Sequence, residues 1–94
     1  MFIISGTYTR QFERTEPVVA EHLSFLERCY DDNTFVASGP RKPFTGGLII
    51  ARGDDEDSIR QVMQEDPFVR EGIAEYEYLQ FTPTKAAHSD LIEQ

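Results

Sequence analysis

The chain has one cysteine, no tryptophan and two histidines, and its nine Lys+Arg residues face 17 Asp+Glu. A lone thiol, Cys29, excludes an internal disulfide, so the fold needs no oxidising compartment. Its simplest reading is a small buried apolar group. Apolar runs such as LIIA at 48–51 fall far short of the roughly 20 residues that a membrane-spanning helix requires. The opening MFIISGTYTR has no basic residue ahead of its apolar segment, unlike a secretory signal. The expectation is a soluble cytoplasmic protein. The shortage of basic residues leaves a formal charge of −8. Such a surface repels phosphate backbones and makes nucleic acid a poor partner. His22 and His88 stand in no HxH or HxxxH spacing and no glycine-rich phosphate loop is present, so neither a metal nor an organic cofactor is expected.

What the chain does have is enough apolar material for one core: 94 residues, 39% hydrophobic, with seven Phe and four Tyr. FIISGTYT (2–9) is rich in β-branched and aromatic residues and reads as a strand. RQFER follows as a polar connector. Thr15-Glu16-Pro17 supplies a capping residue and a proline suited to a first helical turn. From Pro17 to about Asp32, Val18, Val19, Leu23, Phe25, Leu26, Cys29 and Tyr30 fall on one helical face, and Asn33 can close the helix. TFVASG (34–39) and LIIAR (48–52) read as strands joined by the loop PRKPFTGG. GDDEDS places acids at a second helix N-terminus. Ile59, Val62 and Met63 form that helix's apolar stripe, which must stop by Glu65, before Pro67. PFVREG gives one extra turn closed by Gly72, and IAEYEYLQFT (73–82) gives the last strand.

The order is β-α-β-β-α-β, which predicts an α+β, ferredoxin-like domain over residues 1–85: a four-stranded antiparallel sheet with two helices on one face. Residues 86–94 form a C-terminal tail, read either as a short helix or as a partner-contacting arm. Ile3, Tyr76, Tyr78, Leu79 and Phe81 are too many large apolar groups for a sheet whose other face is bare, so a homodimer through the sheet is expected.

Three places carry candidate chemistry. His22 lies inside the apolar arc of the first helix, beside Val18, Leu26 and Cys29 in projection. It is either a core histidine or a general acid/base, since imidazole titrates nearest neutral pH. Asp66, before Pro67-Phe68, is an N-cap by position, and a carboxylate oxygen left over from the cap could orient an imidazole. Ser38-Gly39-Pro40 is a simple turn or a ligand-contacting hydroxyl and backbone. Arg41 and Lys42 follow it, a basic pair able to attract an anionic small molecule. His88, in the tail, is expected to be silent.

Taken together, FIISGTY, EHLSFL, FVASGP, TGGLIIA, EDPF and AEYEYLQFTP resemble, in this order, the YciI-like (YCII-related) family over about residues 1–85. The resemblance implies a dimeric α/β barrel, and a pocket His–Asp pair at His22 and Asp66. Ser38, Gly39 and Phe68 match other recurrent positions near that pocket. It also implies a small-molecule enzyme of the lyase, isomerase or hydrolase kind acting on a lactone or similar carbonyl compound. A non-catalytic dimeric metabolite-binding or accessory module is the alternative.

Overall fold

The computed structural model describes residues 1–92. Its elements are β1 (Phe2–Tyr8), α1 (Pro17–Asp31), β2 (Phe35–Pro40), β3 (Gly47–Ala51), α2 (Glu56–Met63), α3 (Pro67–Arg70) and β4 (Ala74–Gln80), followed by a 3-10 turn at Ser89–Leu91. The strands form one antiparallel sheet in the order β2-β3-β1-β4. This is the expected ferredoxin-like frame, with α3 as the extra turn.

Local chemistry sets most boundaries. Pro17 stands in the first turn of α1, where its missing N–H costs nothing. The N-cap is Glu16, not Thr15, and its side chain makes no cap hydrogen bond. Its carboxylate accepts instead from the Glu13 N–H at 2.8 Å and from the Arg10 guanidinium at 3.1 Å. Asn33, at φ 66, closes α1. Asp55 caps α2, its carboxylate accepting the Asp57 N–H at 3.3 Å and the Ser58 hydroxyl at 2.7 Å.

The buried stripe of α1 is Val18, Phe25 and Cys29, and that of α2 is Ile59 and Met63. Phe25, Cys29, Ile59 and Met63 meet Phe2, Ile4, Phe35, Ile49 and Ala51 from the sheet in the main core. A second cluster of Val18, Phe68, Ile73 and Ala74, flanked by Tyr8, Phe12 and Tyr76, fills the end of the sheet near α3. Leu23 sits on the predicted apolar face yet is 55% exposed, because it borders an open cavity rather than the core.

The register of β1 against β4 decides which side chains share a face, since directly opposed residues point the same way. Gly6 pairs with Tyr76 and Ile4 with Tyr78, while Ile3 pairs with Leu79. Phe2 and Ile4 are buried, so Tyr76 and Tyr78 lie on the helix-covered face. The expectation that these two tyrosines belong to the bare face is therefore wrong. The alternation Tyr76-Glu77-Tyr78-Leu79 splits them from Leu79 and Phe81. The bare face carries Ile3, Leu48, Ile50, Leu79 and Phe81, alongside Glu75 and Glu77.

Two glycines are required by close approach. A Cβ on Gly46 would lie 1.8 Å from the Gly6 carbonyl oxygen, because the β2–β3 loop crosses directly against β1. There the Tyr8 N–H donates to the Thr45 carbonyl at 2.9 Å. A Cβ on Gly6 would lie 2.5 Å from the Tyr76 ring, which occupies the space over the glycine. The tail returns toward β3, where the Arg52 guanidinium donates to the Asp90 carbonyl at 2.7 Å. Positions 93 and 94 of the predicted tail lie outside the described residues.

Two outcomes follow from this packing. Gly46→Ala should lower unfolding free energy by about 3 kcal/mol or more through overpacking, whereas Gly39→Ala, whose Cβ meets nothing within 4 Å, should leave the urea midpoint nearly unchanged. Equal midpoints for the two variants would refute the close approach at Gly46. Burial pushes the Cys29 thiol from 9.0 up to about 11, with the charge of Asp32 adding to the effect. Because this pKa is higher in the folded state, the thiol's contribution to stability is complete below pH 9 and is lost as pH rises toward 11. At pH 8 a thiol reagent should label the native protein only as fast as it unfolds, and urea should release the reaction.

Candidate active site

The segment between α2 and β4 builds the site's polar centre. Pro67 forces the chain out of helical geometry at the preceding residue. Asp66 accordingly takes extended values, φ −67 and ψ 121, and starts α3 as its N-cap, accepting the Phe68 N–H at 2.9 Å. Its carboxylate is fully buried, the only buried charged group among the described residues.

Such a group is tolerated only when hydrogen bonds replace its lost hydration. The same oxygen that accepts the Phe68 N–H lies 2.7 Å from His22 Nδ1, and the other accepts the Tyr76 hydroxyl at 2.8 Å. His22 comes from α1 and Tyr76 from β4, so one carboxylate joins three elements. A carboxylate only accepts, so the network assigns the imidazole proton to Nδ1 and leaves Nε2 as the unshared nitrogen. Tyr76 stays a phenol and a donor: burial, followed by the neighbouring negative charge of Asp66, raises its pKa. The same causes, in the same order, raise Tyr8.

The imidazole is held in plane as well as at its edge. It stacks on the Phe68 ring at 3.9 Å between centroids and 2° between planes. Phe68 is buried and is braced by Phe12 at 5.1 Å and Tyr8 at 6.0 Å. A hydrogen bond fixes the ring's rotation and a stacked face fixes its tilt.

His22 stands in the wall of a cavity of about 800 Å³. Val19, Leu23 and Leu26 of α1 line it on one side, and Gly6, Tyr8, Ile49 and Tyr76 of the sheet on another. Phe12 and Phe44 come from the loops after β1 and β2, and Glu13, Arg14 and Thr15 complete the rim.

The structure therefore brings His22, Asp66 and Phe68 into direct contact, and it sets Ser38, Gly39 and Pro40 along the same cavity. The Ser38 hydroxyl is engaged with the Tyr30 hydroxyl at 2.7 Å. Arg41 is not brought in. Its guanidinium reaches Thr7 at 3.3 Å, on the sheet face away from the helices, and Lys42 does not line the cavity either. The reason is strand alternation, with Arg41 following Pro40 on the opposite side. Cys29 lies in the core, and His88 is exposed in the tail. No group of three His, Cys, Asp or Glu side chains converges as a metal site among the described residues. None of their helices is long and apolar enough to cross a membrane.

Sequence reading missed Tyr76, Tyr8, Phe12 and Arg14. Tyr76 was legible in principle: a strand glycine opposite a strand tyrosine allows the ring to lie across the glycine. Phe12 was hidden in a connector whose other residues are polar.

No curated protein matches the sequence. Among solved structures, the chain is similar to the 5-chloro-2-hydroxyhydroquinone dehydrochlorinase of Burkholderia phenoliruptrix in complex with 2,5-dihydroxybenzoquinone, at a TM-score of 0.65 and 20% identity, covering 86% of this chain and 93% of that one. At that identity the likeness establishes the shared fold alone. The YCII-related domain model matches residues 1–82. The chain belongs to the YCII-related family.

Proposed function

We propose that this protein is a small-molecule enzyme of the lyase, isomerase or hydrolase kind, acting on a lactone or a similar carbonyl compound, with His22 as its proton-transferring group. One observation carries the reading. The imidazole spends Nδ1 on a buried carboxylate 2.7 Å away and stands in the wall of an 800 Å³ cavity, which leaves Nε2 for a ligand. In this mechanism Nε2 takes a proton from a carbon next to a carbonyl, or from water, and returns it to the product. Asp66 holds the productive tautomer and stabilises the imidazolium that forms. Tyr76 and the Phe68 amide keep the carboxylate aimed, and the Phe68 ring supports the imidazole from behind. Ser38 and the backbone of Gly39 and Pro40 contact the substrate. The structural neighbour's named activity, dehydrochlorination, is of the lyase kind and fits this chemistry.

The bare sheet face supports a homodimer in the same proposal. Leu79 is 64% exposed, Phe81 41% and Leu48 40%, with Ile3 and Ile50 between them. An apolar strip of this kind is the usual mark of a covered surface.

Against an identified substrate, His22→Ala should lower kcat by about 10²–10⁴, and Asp66→Asn should follow it, because the tautomer is lost. Tyr76→Phe removes a single hydrogen bond to the carboxylate and should cost about tenfold. If His22→Ala turned over at the parent rate, the catalytic reading would fail. A metabolite that raised the Tm yet survived incubation unchanged would favour the binding-module alternative. Leu79→Glu should shift the sedimentation of the dimer to that of a folded monomer. An unchanged sedimentation coefficient would remove the sheet face as the interface.

A further inference from the structure

The cavity is walled mainly by aromatic and aliphatic side chains, and among the described residues Arg14 is the only Lys or Arg that lines it. Arg14 stands in the loop between β1 and α1. Its guanidinium makes no hydrogen bond, ion pair or cation-π contact among the described residues. The chain's other arginines are occupied. Arg10 pairs with Glu16, Arg60 with Glu56 and Arg52 with Asp90. Arg28 lies over the Phe25 ring, Arg41 donates to Thr7 and Arg70 to the Gln64 carbonyl. Arg14 is exposed, so in a chain of formal charge −8 its guanidinium stands open to an anionic ligand at the cavity.

The loop that carries Arg14 is held in place. Its near end is tied by the Arg10–Glu16 pair and by the Glu13 N–H bonded to the Glu16 carboxylate at 2.8 Å. Between these, Phe12 is wedged against Tyr8 at 5.0 Å and Phe68 at 5.1 Å. Phe68 is the ring on which His22 stacks. The loop that carries Arg14 is thus linked at Phe12, through two aromatic contacts, to the imidazole.

We infer that Arg14 is the specificity-determining residue of this cavity, and that it selects a ring-bearing substrate with a carboxylate. The apolar walls take the ring, and the guanidinium takes the carboxylate at the rim in a charge-assisted, two-pronged contact. This inference rests on the reading of the cavity as a substrate site. Glu13, which shares the rim, opposes the anion, so the selection comes from the guanidinium's fork geometry rather than from a net positive field. The role assigned from sequence to Arg41 and Lys42 passes to Arg14.

The test uses calorimetric titration of the full chain with benzoate and with phenol, which share a ring and differ in charge. The unaltered chain should bind benzoate more tightly than phenol, and Arg14→Gln should weaken benzoate about tenfold while leaving phenol unchanged. Glu13→Gln should strengthen benzoate, and Arg41→Gln should alter neither. Raising salt should weaken benzoate binding only where Arg14 is present. Equal losses for the two probes in Arg14→Gln, or no loss for benzoate, would overturn the inference while leaving the cavity a binding site. Failure of both probes to bind the unaltered chain would overturn the inference and the cavity reading together.

Discussion

The buried carboxylate of Asp66 is the constraint on which the site depends. Removing such a charge from water costs several kcal/mol, recovered only when strong donors surround it. Here the donors come from α1, α3 and β4 through His22, the Phe68 amide and Tyr76. A shift of any one of the three elements removes one of the contacts that compensate the buried charge. The interaction that ends the α2 region in sequence therefore also fixes the relative placement of a helix and an edge strand. Its role as a helix cap and its role beside the imidazole are one geometry, since a single oxygen accepts both the Phe68 N–H and the His22 contact.

The frame was largely readable from residue order because each element carries its own punctuation. Pro17 and Pro67 start helices, Asn33 ends one and Asp55 caps another. The pairing of His22 with Asp66 did not come from such local signals. Forty-four positions separate them, and no periodicity within one element can report a contact between two. A family likeness suggested the pair, and the coordinates supply the distance. Where alternation had to be assigned to a face, residue order alone failed. Tyr76 and Tyr78 read as plausibly on the bare side as on the covered one until the register with Gly6 and Ile4 was known. Arg41 failed for the same reason, one step beyond a strand end. Phe12 shows a different limit, because an aromatic in a polar connector has no pattern around it to reveal what it packs against.

The arrangement of glycines and rings explains how so small a chain leaves an open cavity beside a packed core. Gly6 gives up its side chain so that the Tyr76 ring can cross β1 and bring its hydroxyl to Asp66. Gly46 gives up its own so that the β2–β3 loop can close against the same strand. Between them the sheet's inner surface changes from purely hydrocarbon side chains, at Phe2 and Ile4, to hydroxyl-bearing rings, at Tyr8 and Tyr76. The core occupies the first half and the cavity the second.

The flat stacking of His22 on Phe68 also has a magnetic consequence. With the ring planes 2° apart and the centroids 3.9 Å apart, the carbon-bound imidazole protons sit in the shielding cone of the benzene π-current. Their resonances should therefore be displaced from those of His88, the only other histidine in the chain. The imidazole at the centre of the site thus carries its own spectroscopic label, and its environment can be followed in the unmodified protein without isotopes or an identified ligand.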